Sequence, residues 1–267
     1  MSKVHGPVAP VREIRSIVND SGDTSYVNRI LVGTAATGLV RVEWVAARYS
    51  QIIPMNWSQV QVNEYMSGYY PTRYQVADAQ NLIVRQCLEG DFEWLFLLEH
   101  DVVLPDNTLV ALNEYMRDAK VPVVSGLYYS RSRPSEPLVF RGRGNSVYTD
   151  WKLGDKVWAD GIPTGCLLIH HSILRLMWNE SPEYTIRAKN QVTRRVFETP
   201  RRLIVDEKGN HNAISGTSDL WWCDRVMKED VFKRAGWGDF APDMKNPFLV
   251  DTSIFCRHIQ MTGEQFP

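Results

Sequence analysis

Two acids and a histidine interrupt the most hydrophobic stretch of the chain. In "EWLFLLEHDVVLPD", Glu93 to Asp106, five apolar residues from Trp94 to Leu98 run into Glu99, His100 and Asp101, and hydrophobicity resumes at Val102. As a central strand of a parallel sheet, Trp94 to Leu98 is buried on both faces, which sets Glu99 and Asp101 at its carboxyl end. That edge is where open α/β sheets bind ligands. Residues i and i+2 of an extended chain face the same side about 6.6 Å apart, so both carboxylates can address one ligand, while His100 points the other way, toward a neighbouring helix. Paired carboxylates beside an apolar strand repel unless a proton or cation separates them. A hard divalent cation, Mn²⁺ or Mg²⁺, suits carboxylate oxygens and completes its shell with substrate phosphates. That combination points to a nucleotide diphosphate. The sequence has neither a GxxxxGK[ST] nor a GxGxxG loop to hold phosphates by backbone amides. The plainer reading makes one acid a helix cap and the other a solvated charge, but Asp106 already stands where the cap is needed.

The elements that must position these acids follow from periodicity. "NRILVGTA" predicts a buried strand ending in small residues, followed by a helix with Leu39, Val42, Val45, Ala46 and Tyr49 on its apolar stripe. "WSQVQV", Trp57 to Val62, alternates as a strand does. "YQVADAQNLIVRQCL" places Val76, Ala79, Leu82, Ile83 and Cys87 on one helical face, so that Trp94 to Leu98 closes a β-α-β-α-β series. Such alternation predicts an α/β fold, a mainly parallel sheet with helices on both faces. "PDNTLVALNEYMRDA" predicts a helix, "VPVVSGLYY" a strand, and "GIPTGCLLIHHSILRLMW" a loop, a strand over Cys166 to Ile169 and a helix from Ser172. The polar region 179 to 217 reads as an insertion with a hairpin at "RLIVDEKGNH". A helix from Ser218 to about Gly236 and a last strand in "NPFLVDTSIFCRHI" complete the chain.

Composition bounds the function class. With 267 residues, 44% hydrophobic, the chain can bury a full core. No window approaches the roughly 20 apolar residues of a membrane span, and "MSKVHGPVAPVREIRS" lacks the apolar centre of a secretory signal. The expectation is a soluble, cytoplasmic protein with a loose N-terminal arm over 1 to 27. Cys87, Cys166, Cys223 and Cys256 are far apart with no CxxC pair, which predicts buried free thiols. A net charge of −1 excludes a protein-wide field for nucleic acid. Two segments are locally basic: "RSRPSEPLVFRGR" has four arginines against one acid, and "RAKNQVTRRVFETPRR" six basic residues against one.

The acidic motif and its surroundings resemble the GT-A fold glycosyltransferases, whose hallmark is an Asp-x-Asp-type motif at a strand end, here in the variant form "EHD". The run "ADAQNLIVRQCLEGDFEWLFLLEHDVVLPDNTLVAL" is similar to the family's helix, strand, acidic motif, proline and helix. "GTSDLWWCDRV", "AGW" and "NPFLVDTSIFCRHI" are similar to its acid-headed helix, glycine, strand and final histidine. The resemblance covers roughly 28 to 259, more loosely between 142 and 216. It implies a single catalytic domain over 28–267, with a nucleotide-binding half over 28–129 and an acceptor-binding half over 130–267. It further implies that Asp101 ligates the metal, that Glu99 contacts the donor ribose or a metal-bound water, and that His258 closes the metal site. Thr34 and Ala35 would lie under the nucleoside, and Asp160 and Gly165 in "DGIPTGC" would border the donor sugar. Asp219 would be the general base of an inverting reaction, with Asp224 as fallback. Ser218 stands where the family's pair has glutamate.

Plainer readings stand beside these. His258 can be a surface histidine, Asp219 an acid complementing a helix dipole, and the "DGIPTGC" glycines mere turn formers. Arg131 and Arg133 can bond phosphate or line a solvated loop. Of Trp221 and Trp222, one is expected in the core and the other can offer a platform to an acceptor; His170 and His171 read as structural. The implied activity is transfer of a sugar from a nucleotide-diphosphate sugar, UDP-sugar foremost, to an unidentified acceptor. A polyanion such as modified DNA suits the basic segments. A glycosidase would need its carboxylates across a sugar from each other, and a metal-dependent phosphoesterase or nuclease would need ligands for a second metal. A non-catalytic nucleotide-sugar-binding protein is the remaining alternative.

Overall fold

The computed structural model of the chain describes residues 16–18, 24–26, 29–142, 146–205, 207, 209 and 211–267. Most of the expected N-terminal arm, and Asn28, lie outside them. The elements in chain order begin with the paired strands β1 (Ser16–Val18) and β2 (Thr24–Tyr26), then β3 (Ile30–Gly33), α1 (Val42–Tyr49), α2 (Gln59–Ser67), α3 (Val76–Glu89), β4 (Trp94–Leu98), β5 (Val102–Val103), α4 (Thr108–Asp118) and β6 (Val123–Leu127). The second half adds β7 (Lys156–Ala159), β8 (Cys166–His170), α5 (His171–Glu180), β9 (Glu183–Ile186), β10 (Gln191–Arg194), β11 (Arg201–Val205), β12 (His211–Ser215), α6 (Ser218–Lys228), α7 (Val231–Arg234), β13 (Phe248–Phe255), β14 (Arg257–Ile259) and β15 (Gln265–Phe266).

The protein is a mixed α/β fold around a six-stranded sheet of order β3-β4-β8-β6-β13-β7. β3 with β4 and β6 with β13 pair in parallel, while β8 and β7 run against their neighbours. Four of the six strands therefore share one direction, as expected of a mainly parallel sheet. The alternation along β4 explains its unbroken hydrophobicity: Leu95 and Leu97 enter one core with Ile83, Leu167 and Trp222, and Trp94, Phe96 and Leu98 enter the other with Leu109, Leu112 and Leu168. Each such side chain contributes about 1.5–3 kcal/mol when fully buried.

Two local expectations fail for identifiable reasons. "WSQVQV" is not a strand: the Ser58 hydroxyl accepts from the Gln61 N–H at 3.3 Å while Gln61 Oε1 accepts from the Ser58 N–H at 2.9 Å. This reciprocal capping box starts α2 and overrides the two-residue alternation. The strand-like place beside β3 falls instead to residues 69–73, bridged in parallel as Gly33 with Tyr69 and Ala36 with Thr72. In α1 the buried residues are Trp44 and Arg48, whereas Val42 and Tyr49 are exposed, as is Leu39, which lies before the helix. The large indole sets the face, and its Nε1–H donates to the Glu99 carbonyl at 2.8 Å.

Elsewhere the expected elements form, with small shifts. Asp106 is not the cap of α4; Asn107 occupies that position and makes no side-chain cap bond. The last long helix breaks at Asp230, in a left-handed conformation, into α6 and α7. The 201–215 hairpin is present, and a second one, β9 with β10, precedes it where only irregular insertion was expected. All four cysteines are free and buried. No helix among the described residues is long and apolar enough to cross a membrane.

Candidate active site

One edge of the sheet collects the residues singled out above. The strands β3, β4, β6 and β13 end there and β8 begins there, so 34–36, Glu99–Asp101, Tyr128–Tyr129, Gly165 and the approach to His258 converge. His258 is brought across 157 positions of sequence by β5 and β14, which pair antiparallel with His258 opposite Val102, and by the Ile259 N–H, which donates to the Asp101 carbonyl at 2.8 Å.

Glu99 and Asp101 do share one site, but not as alternate positions of a strand. The strand stops at Leu98, and Glu99 to Val102 form a tight turn with the Val102 N–H donating to the Glu99 carbonyl at 3.2 Å. The turn changes the fate of His100 as well. Its Nδ1 lies 3.2 Å from the Ala35 carbonyl, so it ties the acidic turn to the end of β3 rather than packing on a helix.

One ligand atom from each of Glu99, Asp101 and His258 lies within 4.8 Å of the others. His258 Nε2 is 3.4 Å from Asp101 Oδ2, and its Nδ1 is 2.9 Å from the Tyr129 carbonyl. A proton on Nδ1 would bond that carbonyl and leave the Nε2 lone pair facing the acids, the arrangement that ligating histidines adopt. Burial, then the charges of Asp101 and Asp219, push Glu99 up to about 7. Burial also pushes Asp101 up, but the bond and charge of His258, with His100 and Arg131, outweigh it and hold the carboxyl below its ordinary range. Two carboxylates and one imidazole, partly buried, with Arg131 paired to Asp101 from the exposed side, are a donor set that fits a divalent cation.

Glu99 in this state works against folding. Its carboxyl shifts from an ordinary 4.5 to about 7, so ionisation favours the unfolded chain. The loss begins as pH rises past 4.5 and is complete above about 7, reaching up to about 3 kcal/mol. Glu99→Gln, free of metal, is therefore expected to raise the thermal midpoint by roughly 5 °C at pH 8 and by little at pH 4.5. Calorimetry at the two pH values checks this; an equal offset at both would contradict it.

The remaining candidates are placed as follows. Asp219 stands in the first turn of α6, where its Oδ1 accepts from the Leu220 N–H at 2.8 Å. It is near enough to raise both Glu99 and Tyr128. Burial lifts its own carboxyl despite bonds from Thr217 and Leu220. Asp224 is a surface residue paired with Lys228 at 2.7 Å, which removes the fallback base. Arg131 pairs with Asp101 Oδ2 at 2.9 Å and Arg133 with Glu264. Asp160 is buried, and its Oδ2 accepts from the Gly142 N–H at 2.8 Å. The Gly165 N–H donates to the Tyr128 hydroxyl at 2.7 Å and its carbonyl accepts from the Glu99 N–H at 3.0 Å. A Cβ there would collide with the Tyr128 ring and come 2.8 Å from Val102 Cγ2, so glycine lets the two strands close around the turn.

Thr34 is wholly buried, with its N–H donating to the Tyr69 carbonyl at 3.0 Å and its hydroxyl unpartnered among the described residues. Trp222 is core, stacked on Phe197, and Trp221 is half-buried beside Arg225. His170 caps α5 through Ser172, packs against Trp94 and Trp237 and stacks on His171, as a structural residue would. Sequence reasoning missed Trp44, Gln80, Tyr128 and Thr164. The last three are a glutamine inside a helix, a tyrosine after a strand and a threonine in a loop, and no spacing relates them to the acids before the sheet edge is assembled.

The chain matches no protein-family model and no curated protein sequence. Among solved structures it is similar in fold to the A197 protein from STIV, at 14% identity and a TM-score of 0.51, over 89% of this chain and 93% of that one. Partial overlaps include S. aureus TarS, at 9% identity and a TM-score of 0.36 over 57% of this chain and 30% of that chain. A glycosyltransferase involved in the glycosylation of the major capsid of PBCV-1 overlaps at 16% identity and a TM-score of 0.30, over 58% of this chain and 68% of that chain.

Proposed function

We propose that this protein is a metal-dependent glycosyltransferase, moving a sugar from a nucleotide-diphosphate sugar, UDP-sugar foremost, to an acceptor hydroxyl with inversion. The observation that carries this reading is the cluster of Glu99, Asp101 and His258 at the carboxyl edge of the sheet, with Asp219 near enough for its charge to act on Glu99. A Mn²⁺ or Mg²⁺ ion held by these three residues would neutralise charge gathering on the departing diphosphate, a contribution of several kcal/mol. Every other task falls to side chains of the chain itself. Asp219, whose burial raises its proton affinity, takes the acceptor's hydroxyl proton. Arg131, half-exposed beside Asp101, is placed to bond phosphate oxygens. Thr34 and Ala35 support the nucleoside, and Asp160 and Gly165 border the sugar.

In this reading 28–267 act as one catalytic domain, 28–129 serving the nucleotide and 130–267 the acceptor. The sheet interleaves strands of both parts, which suits a site shared between them. A phosphoesterase with two metals is less well supported, because the described residues hold a single cluster of three potential ligands. Arg201 and Arg202 are exposed, and Arg201 stands in register with Ser215, three residues before the helix that carries Asp219; a polyanionic acceptor, modified DNA included, suits such a place.

Thermal unfolding with UDP, GDP and dTDP, each with Mn²⁺ and with EDTA, tests the donor reading. One nucleotide is expected to raise the midpoint only with metal, by the equivalent of about 2.7 kcal/mol at a hundredfold excess over its Kd. No metal-dependent shift with any nucleotide would sink it.

A further inference from the structure

Behind Glu99 a short hydrogen-bonded chain leads back into the core. The Thr164 hydroxyl donates to Glu99 Oε1 at 3.0 Å, and Gln80 Nε2 donates to Thr164 Oγ1 at 3.1 Å. Thr164 and Gln80 are each 2% exposed. They come from different elements, the loop before β8 and the first half of α3, 84 positions apart. Gln80 Oε1 has no partner among the described residues. The amide is thus held through its nitrogen alone.

With the Gln80 nitrogen toward Thr164, counting hydrogens gives this chain its polarity. A hydroxyl has one to give. Because Thr164 receives a hydrogen from Gln80, its own is directed to Glu99, which must accept at Oε1. Turning the Gln80 amide over would put Oε1 on Thr164, reverse both bonds and require Glu99 to supply a proton. A carboxylate that ligates a cation has none to supply. The arrangement in the structure is therefore the one a ligating Glu99 needs: one oxygen pinned from behind, the other left for the site.

We propose that Thr164 and Gln80 are positioning residues for the metal site, Gln80 orienting the Thr164 hydroxyl and Thr164 orienting the Glu99 carboxylate. The inference rests on the metal-site reading above and adds two residues that touch neither metal nor donor. Hydrogen-bond partners of ligands typically change metal affinity by 10- to 100-fold.

The test is Mn²⁺ affinity of the full-length protein without nucleotide, read from the paramagnetic resonance of free Mn²⁺, with thermal midpoints recorded on the same samples. Thr164→Val is expected to weaken binding by about 10- to 100-fold, and Thr164→Ser, which keeps the hydroxyl, to restore it. Gln80→Met should weaken binding less, and should add nothing in the double variant with Thr164→Val, because both act through one bond. Equal affinities for Thr164→Val, Thr164→Ser and the unaltered chain would overturn the proposal, as would full additivity in the double variant. If Thr164→Val fails to fold, Gln80→Met decides alone: unchanged affinity overturns the proposal. Binding that survives Thr164→Val but is lost in Asp101→Ala defeats this proposal and keeps the metal site. No Mn²⁺ binding by the unaltered chain defeats both.

Discussion

Asp101→Ala is expected to lower metal-dependent turnover of the nucleotide-sugar donor by on the order of 10²- to 10³-fold, the equivalent of several kcal/mol of lost charge stabilisation. Asp101 is the member of the cluster best suited to this role. It is held ionised by His258, His100 and Arg131 against the pull of burial, whereas Glu99 sits near neutrality. Removing it also frees Arg131 from its 2.9 Å pair and takes from His258 Nε2 the carboxylate 3.4 Å away. Steady-state rates at saturating Mn²⁺ check the effect. A variant with an unchanged rate and unchanged metal requirement would remove Asp101 from the site.

Asp219→Asn is expected to cost roughly 10²- to 10⁴-fold in transfer to an acceptor, the range for a positioned general base, while donor and metal affinity do not fall, since the lost charge is one that disfavours ionised Glu99. The asparagine keeps the shape, and its oxygen can still accept from the Leu220 N–H, which now binds Asp219 Oδ1. Loss of helix capping is thereby separated from loss of basicity. The two readings of Asp219 predict different results: an acid that only complements the helix dipole would leave transfer intact and move the thermal midpoint slightly. Comparing kcat for transfer with the Kd for the nucleotide distinguishes them.

Much of this arrangement was legible in the sequence, for physical reasons that differ by element. The unbroken apolar run of β4 requires burial on both faces, which places Glu99 and Asp101 at the carboxyl end of a buried strand, the edge at which open α/β sheets bind ligands. Of the α3 stripe, Ala79, Leu82, Ile83 and Cys87 are buried as their spacing demands, while Val76, in the first turn, is exposed. Where two local signals competed, the stronger hydrogen-bonding one won, as the Ser58–Gln61 capping box did over the alternation of "WSQVQV". The turn that joins Glu99 to Asp101 could not be read, because strand and turn both bring residues two apart to one side. The positions of Thr164, Gln80 and Tyr128 relative to Glu99 depend on tertiary packing across separations of 65, 19 and 29 residues, and no periodicity encodes that. His258 was reached only through its resemblance to a family pattern; the pairing of β14 with β5 supplies the physical reason it stands beside Asp101.

Under the proposed function, the Glu99, Asp101 and His258 cluster holds a divalent cation for a nucleotide-sugar donor. The most direct measurement is hydrolysis of UDP-, GDP- and dTDP-sugars by the purified protein with Mn²⁺ and with EDTA, which requires no knowledge of the acceptor. Release of one nucleotide diphosphate with Mn²⁺, abolished by EDTA, is the predicted result. Release that is indifferent to EDTA, or no release from any donor, would contradict the account.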